Sequence, residues 1–349
     1  MQNGVKATKS LPKLFTDNRF RAKLAVLCSL LLLAFAVALS ICKGAVSLSL
    51  ADIFSAFVQS GSGDVNFKII YNVRLPRTFG TVLAGAGLAV SGVIIQSVLA
   101  NPLAGPNIIG VNAGAGFFAA LCCAFLPQYD VTLLPLAAFL GALLTVLLVY
   151  FIAAKTNSSK IAIVLAGVAL SSLLNAGIDA VITFIPDSLT GSTAFKIGGV
   201  AGATFAGLSL PSIYIAAGLA AALLLSRELD LLSLGDETAK SMGLNVVFYR
   251  FMLLMVSAVL AGAVVSFAGL LGFVGLIVPH ICRFFAGNKS IALIPVSAIF
   301  GAAFVTLCDV LSRVIFAPFE LPLGILLSFI GGPFFIWLLL NGKGISRHK

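Results

Sequence analysis

An all-α, polytopic membrane fold of ten helices is what this sequence predicts, on three observations. Hydrophobic residues make up 60% of the chain and charged residues only 10%, against roughly a quarter charged in a soluble domain. Apolar runs of about twenty residues, the length that crosses a bilayer, recur from one end of the sequence to the other. The charges sit at the ends of those runs. A mean hydropathy of +1.12 agrees, and no stretch has the composition of a separate soluble domain.

The spans are expected near 24–42, 76–100, 107–126, 131–154, 160–184, 208–226, 246–268, 272–287, 290–315 and 321–340. Residues 1–23 form a polar, basic segment with Lys6, Lys9, Lys13, Arg19, Arg21 and Lys23. The 19-residue run Leu24–Cys42 is too long for a secretory h-region and lacks a convincing small-x-small cleavage site, so it reads as an uncleaved first span. Pro76 opens the second span comfortably as a first helical residue. Pro102 and Pro106 stop helices and stiffen the link to the third. Lys155 and Lys160 divide the fourth from the fifth. Between the sixth and seventh lies a loop, LDLLSLGDETAKSMGLN (229–245). Gly269, Gly272 and Gly275 interrupt the eighth and Pro279 disturbs its end, within GLLGFVGLIVPHICR. The ninth and tenth spans complete a single membrane domain over 24–341, and 342–349 is a short tail.

Ten spans put both termini on one side. Sixteen of the 22 Lys and Arg fall on the side proposed as cytoplasmic: the six N-terminal ones, Lys155, Lys160, Arg227, Lys240, Arg250, Arg283, Lys289, Lys343, Arg347 and Lys349. Lys43, Lys68, Arg74, Arg77, Lys196 and Arg313 fall outside. This bias predicts an N-in, C-in topology and marks the outer arginines as exceptions that need a reason. The same bias accounts for the net charge of +10 without a nucleic-acid partner. The 34 glycines suit close helix packing in lipid.

Several chemistries are set aside. No GxxxxGK[ST] phosphate loop is present, so any ATP hydrolysis must come from another chain. The six cysteines lie in or beside apolar runs without CxxC spacing and read as small packing residues. His280, with His348 in the tail as its only companion, cannot build a His-rich metal site.

Four patches stand out. Arg74-Leu-Pro-Arg77 leads into GTVLAGAGLAVSGVIIQ, and Asn101-Pro-Leu-Ala-Gly-Pro-Asn107 precedes IIGVNAGAG. The third is the 229–245 loop. The fourth is the glycine-studded eighth segment, with ELPLG (Glu320–Gly324) and GGPFFIWLLL (Gly331–Leu340) beyond it. The loop reads physically as a knob. Leu229, Leu231, Leu232 and Leu234 give an apolar edge, and Gly235 breaks the helix. Asp236, Glu237 and Thr238 open a second short helix with acids at its positive end. Ala239, Met242 and Leu244 continue the apolar surface. On the fifth span Ser172, Asn175 and Asp179 fall three and four residues apart and share a polar stripe, which in a membrane helix faces protein or water.

Together, in order and at consistent spacing over roughly residues 45–340, these patches resemble the membrane-spanning subunits of binding-protein-dependent ABC importers for iron-siderophores, haem and vitamin B12. The resemblance implies a ten-helix permease that pairs with a second copy, or a close paralogue, around a central path. Two cytoplasmic ATPase subunits would sit below, carrying ATP and Mg, with no cofactor on this chain. An external substrate-binding protein would dock from outside. By the same resemblance Arg74, Arg77 and Arg313 dock that protein, Asn101 and Leu103 narrow the cytoplasmic exit, and Ser172, Asn175 and Asp179 line the path. Leu234, Gly235, Asp236, Glu237, Thr238, Ala239, Met242 and Gly243 are expected to contact the ATPase. An i,i+4 pair between Asp309 and Arg313 is compatible with docking. A ferric siderophore is the first expectation for cargo, then haem, then cobalamin. The rival class is an ion-coupled secondary transporter using Asp179 or Asp309, in which the 229–245 loop has no role.

Overall fold

The computed structural model describes residues 18–44, 65–126, 133–156 and 159–341. Lys6, Lys9, Lys13, the expected start of the fourth span and the 342–349 tail lie outside the described residues. The described chain is helical nearly throughout. Its order is α1 (Asn18–Cys42), α2 (Leu75–Val98), α3 (Val111–Phe125), α4 (Leu133–Ala154), α5 (Lys160–Phe184), α6 (Leu189–Ile197), α7 (Phe205–Leu224), α8 (Ser226–Ser233), α9 (Asp236–Ser241), α10 (Val246–Ala268), α11 (Val274–Ala286), α12 (Ser290–Val314) and α13 (Leu323–Asn341).

Each of the ten expected spans corresponds to a helix, but among the described residues only eight helices are long and apolar enough to cross a membrane. The shorter two are α3, of 15 residues, and α11, of 13. At 1.5 Å per residue they reach about 20 Å, short of the ~30 Å hydrocarbon core. α3 starts late because Pro106–Ile109 winds as a 3₁₀ turn. α11 starts late because Gly269–Phe273 is not helical and Phe273 sits at φ +64°.

α2 extends back further than expected, through Val65–Ile69 and a π turn at Ile70–Arg74. The wider turn stands where Pro76 withholds an N–H and crowds the carbonyl four residues back. α6 was not anticipated; its nine residues are too few for a span-length window. Side-chain caps start three helices: Ser159 accepts from Ala162 N–H (3.1 Å), Thr204 from Gly207 N–H (3.2 Å) and Asn245 from Phe248 N–H (3.2 Å).

α2 is the axis of the packing. It lies against α12, α10, α11 and α7, and 78% of its span is buried. Two backbone approaches set this seam. A Cβ on Gly85 would lie 2.1 Å from the Gly301 carbonyl oxygen of α12, and one on Gly92 would lie 1.9 Å from that of Gly275 in α11. Hydroxyl pairs Ser91–Ser257 (2.7 Å) and Thr81–Thr306 (2.9 Å) satisfy buried polar groups along it. Gly92→Ala is therefore expected to destabilise the protein by about 1–3 kcal/mol or more, since backbone rather than a flexible side chain must move. Gly332→Ala, whose Cβ meets nothing within 4 Å, is expected to be neutral. Thermal unfolding of the two variants in detergent checks the contrast.

Candidate functional site

The groups singled out in the sequence gather at the two ends of the bundle and on one exposed helix face. At one end, the close of α1, the start of α2 and the close of α12 bring three arginines under the surface. Arg77 grips Asp309 through Nε and Nη2 (3.0–3.1 Å) and Glu320 through Nη1 (2.7 Å). Arg313 Nη2 pairs with Asp309 at 3.0 Å, one turn away on the same helix. Arg313 also donates to the Ser40 and Lys43 carbonyls (3.2 and 3.1 Å) and to Ser40 Oγ (2.8 Å). Arg74 donates to the carbonyls of Ile41 and Cys42, the latter at 3.0 Å. All three arginines and Asp309 are buried; within this cluster Glu320 is the most open, at 37% exposure. The sequence suggests rim charges, whereas the structure sets them beneath the rim, because carboxylates and helix-end carbonyls offer them internal partners.

At the opposite end, α8 and α9 form the two-helix knob expected from the loop. Gly235 joins them at φ +105°, a conformation that L side chains rarely adopt. The knob begins earlier than expected, since only Leu225 separates α7 from α8. Its apolar residues divide. Leu229, Leu232 and Ala239 are fully buried against the bundle, while Leu234 and Met242 are each 60% exposed. Glu237, Thr238 and Gly243 are exposed.

Three polar contacts fasten the knob. Asp236 Oδ1 lies 2.5 Å from Arg250 Nη2 of α10 and 3.5 Å from Lys160 Nζ, at the first turn of α5. Asp230 Oδ1 accepts from the Ser290 N–H (2.8 Å), the first residue of α12. Burial pushes the Asp236 carboxyl up, but the hydrogen bonds and charges of Arg250 and Lys160 outweigh it, so its pKa lies below the usual carboxylate value.

The loop after α2 lies at the knob end. Asn101 is exposed, and its Oδ1 accepts from the Leu103 N–H (2.9 Å), closing a tight turn. Leu103 is half-buried and, with Leu88, Pro106, Leu271, Phe273 and Leu276, borders a cavity of about 120 Å³. Arg283 Nη2 sits 3.5 Å from Gln96 Oε1 and Ser97 Oγ at the end of α2. His280 is half-buried, with its ring edge-on to Phe284 and Phe334.

α5 connects the two ends. Ser172, Asn175 and Asp179 are all exposed on it, flanked by exposed Leu165, Val168, Leu173 and Phe184. Only Ile163, Ala166, Gly167 and Ile178 of this helix are buried. Asp309 and Arg313 were legible as neighbours one turn apart. The pairings Arg77–Asp309 and Asp236–Arg250–Lys160 were not, because they join distant parts of the chain and nothing local signals them.

Comparisons with known proteins place the chain in a family. The FecCD transport family matches residues 31–341. Over 326 residues the chain is 36% identical to the Fe(3+)-citrate import system permease protein YfmE of Bacillus subtilis (strain 168), covering 93% of this chain and 97% of that one. Over 324 residues it is 37% identical to the protein named "Probable heme-iron transport system permease protein IsdF" of Staphylococcus aureus (strain Newman), with the same coverage. Among solved structures, the one named "An inward-facing conformation of a putative metal-chelate type ABC transporter" matches with a TM-score of 0.81 and 29% identity, over 90% of this chain and 98% of that one. The chain belongs to the FecCD transport family, as an ABC-importer permease subunit: a multi-pass protein of a bacterial or archaeal cytoplasmic membrane, whose ATPase is a separate subunit.

Proposed function

We propose that two copies of this chain, or this chain and a close paralogue, enclose a path for an iron chelate delivered by an external binding protein and driven by two cytoplasmic ATPase subunits. The ten expected spans form the permease domain, with both termini in the cytoplasm. The observation that carries this reading is the knob of α8 and α9. It is held by Asp236 to Lys160, at the foot of the helix bearing Ser172, Asn175 and Asp179. Leu234 and Met242 are the apolar tips that enter a groove on the ATPase, with Gly235, Glu237, Thr238 and Gly243 around them and Ala239 bracing them from behind. Asn101 and Leu103 narrow the exit beside the knob.

At the outer end, acidic residues of the binding protein take Arg77 from Glu320, the most open carboxylate of its pair, and engage Arg74 and Arg313 as the cluster rearranges. Such charges steer association and fix orientation. For cargo, a ferric siderophore gives way to a broader class that includes haem. The haem-iron relative is as similar as the ferric-citrate one, 37% against 36%, which favours haem as an equal reading. The ion-coupled alternative receives no support from Asp309, which is fully buried between two arginines.

Proteoliposomes containing the permease, its ATPase and its binding protein are expected to accumulate iron chelate or haem only with ATP. Leu234→Asp with Met242→Asp is expected to release the ATPase subunits on co-purification and to abolish uptake. Uptake that persists without the ATPase would overturn the reading.

A further inference from the structure

A cavity of about 480 Å³ lies between α1, α11 and α12, away from the α5 face. One stripe of α1 lines it, from Arg21 through Leu24 and Ala25 to Leu32, and Phe285 and Phe300 close its far wall. These α1 positions recur three and four residues apart, so the cavity is a groove running along the helix. From Arg21 to Leu32 is eleven residues, about 16 Å of helix, roughly half the hydrocarbon thickness of a bilayer. The groove lies on a sparsely covered face. Only 17% of the α1 span is buried, and Leu27, Leu31 and Phe35 beside it are exposed.

The groove has a polar mouth. Arg21 is exposed there, and its Nη2 donates to the Phe284 carbonyl in the last turn of α11 (2.9 Å). That bond holds the guanidinium in place, and a guanidinium carries five N–H donors in a planar fork suited to phosphate. The mouth lies at the knob end of the bundle, because α11 ends there beside Ser290 and Asp230.

We propose that this groove binds one anionic glycerophospholipid of the knob-side leaflet, with an acyl chain along α1 and its phosphate on Arg21. An apolar channel one leaflet deep selects an acyl chain, and a cation at its mouth selects an anionic headgroup over a zwitterionic one. The proposal rests on the membrane placement of α1 and is independent of the cargo.

Native mass spectrometry of the full-length, delipidated permease in detergent tests it, with phosphatidylglycerol and phosphatidylcholine added separately. One equivalent of phosphatidylglycerol is expected to be retained about fivefold more tightly than phosphatidylcholine, the effect of one basic side chain at a membrane surface. Arg21→Gln is expected to erase that preference while leaving acyl binding, and Arg21→Lys to keep part of it. Ala25→Phe, which fills the groove, is expected to remove the retained lipid of either kind. Equal retention of the two lipids by the unaltered protein would overturn the proposal without recourse to any variant. So would phosphatidylglycerol binding unchanged in both Arg21→Gln and Ala25→Phe, which would place the lipid elsewhere.

Discussion

Asp309→Ala is expected to be the most damaging single substitution in this protein, with a loss of about 3–5 kcal/mol. Asp309 is fully buried and is the carboxylate shared by Arg77 and Arg313. Without it buried Arg313 loses its carboxylate and buried Arg77 keeps only the half-open Glu320. A loss of that size is a large part of the 5–15 kcal/mol typical of a folded domain. Glu320→Gln removes a partner that is 37% exposed, and its expected cost is below about 1 kcal/mol. Thermal unfolding in detergent ranks the two, and comparable midpoints would show that the cluster carries no such energy.

The combined variant Arg77→Met, Asp309→Leu and Arg313→Met separates stability from docking. Replacing a whole buried ionic cluster by apolar groups of similar size is often neutral or stabilising. The variant is expected to regain thermal stability while failing to hold the binding protein. Retained docking would return these arginines to a purely structural role.

The second large effect is expected at Asp236. Asp236→Asn keeps the shape of the knob but replaces charged contacts to Arg250 and Lys160 by neutral ones, at a cost of about 1.5–3 kcal/mol. That shifts the fastened fraction of the knob by about tenfold or more. ATPase subunits are expected to co-purify as before, because Leu234 and Met242 are untouched, while ATP hydrolysis continues with little uptake. Glu237→Gln, on an exposed side chain, is expected to leave coupling close to normal. Equal uptake in Asp236→Asn and the unaltered protein would remove Asp236 from the transmission.

The pH dependence has a definite sign. Burial raises the Asp236 pKa but Arg250 and Lys160 lower it further, leaving the folded value below the unfolded one. The pair therefore contributes fully above the unfolded carboxylate value of about 3.9, and the contribution is lost as pH falls through the folded value. Coupling through Asp236 is expected to be flat from pH 5 to 8, and an uptake profile that falls within that range points to another group.

The parts of this molecule that sequence reveals are those whose cause is local. α1, α5, α10 and α12 are continuous apolar runs, and the structure bounds them within a few residues of expectation, α1 alone starting earlier. The break at Gly235 is local too, since a positive φ beside Asp236 and Glu237 marks both the end of one helix and the start of the next. α3 and α11 are cut short by departures at Pro106–Ile109 and Phe273, and a hydropathy window averages over such turns. The arginines show the same division. That Arg77 is an anomaly was legible from the charge bias, but whether it faces water or Asp309 depends on a residue 232 positions away.

That separation bears on how the protein is made. Arg77 enters the membrane with α2, and its carboxylate follows on α12, the twelfth of the thirteen helices. At 5–20 residues per second, on the order of ten seconds or more of synthesis divide the two. Through that interval a cation near the bilayer boundary lacks its counter-charge, a state that membrane insertion disfavours. The helix that ends as the axis of the bundle is thus among the last to settle, and a chain that terminates before α12 carries an exposed chemical mark of its incompleteness.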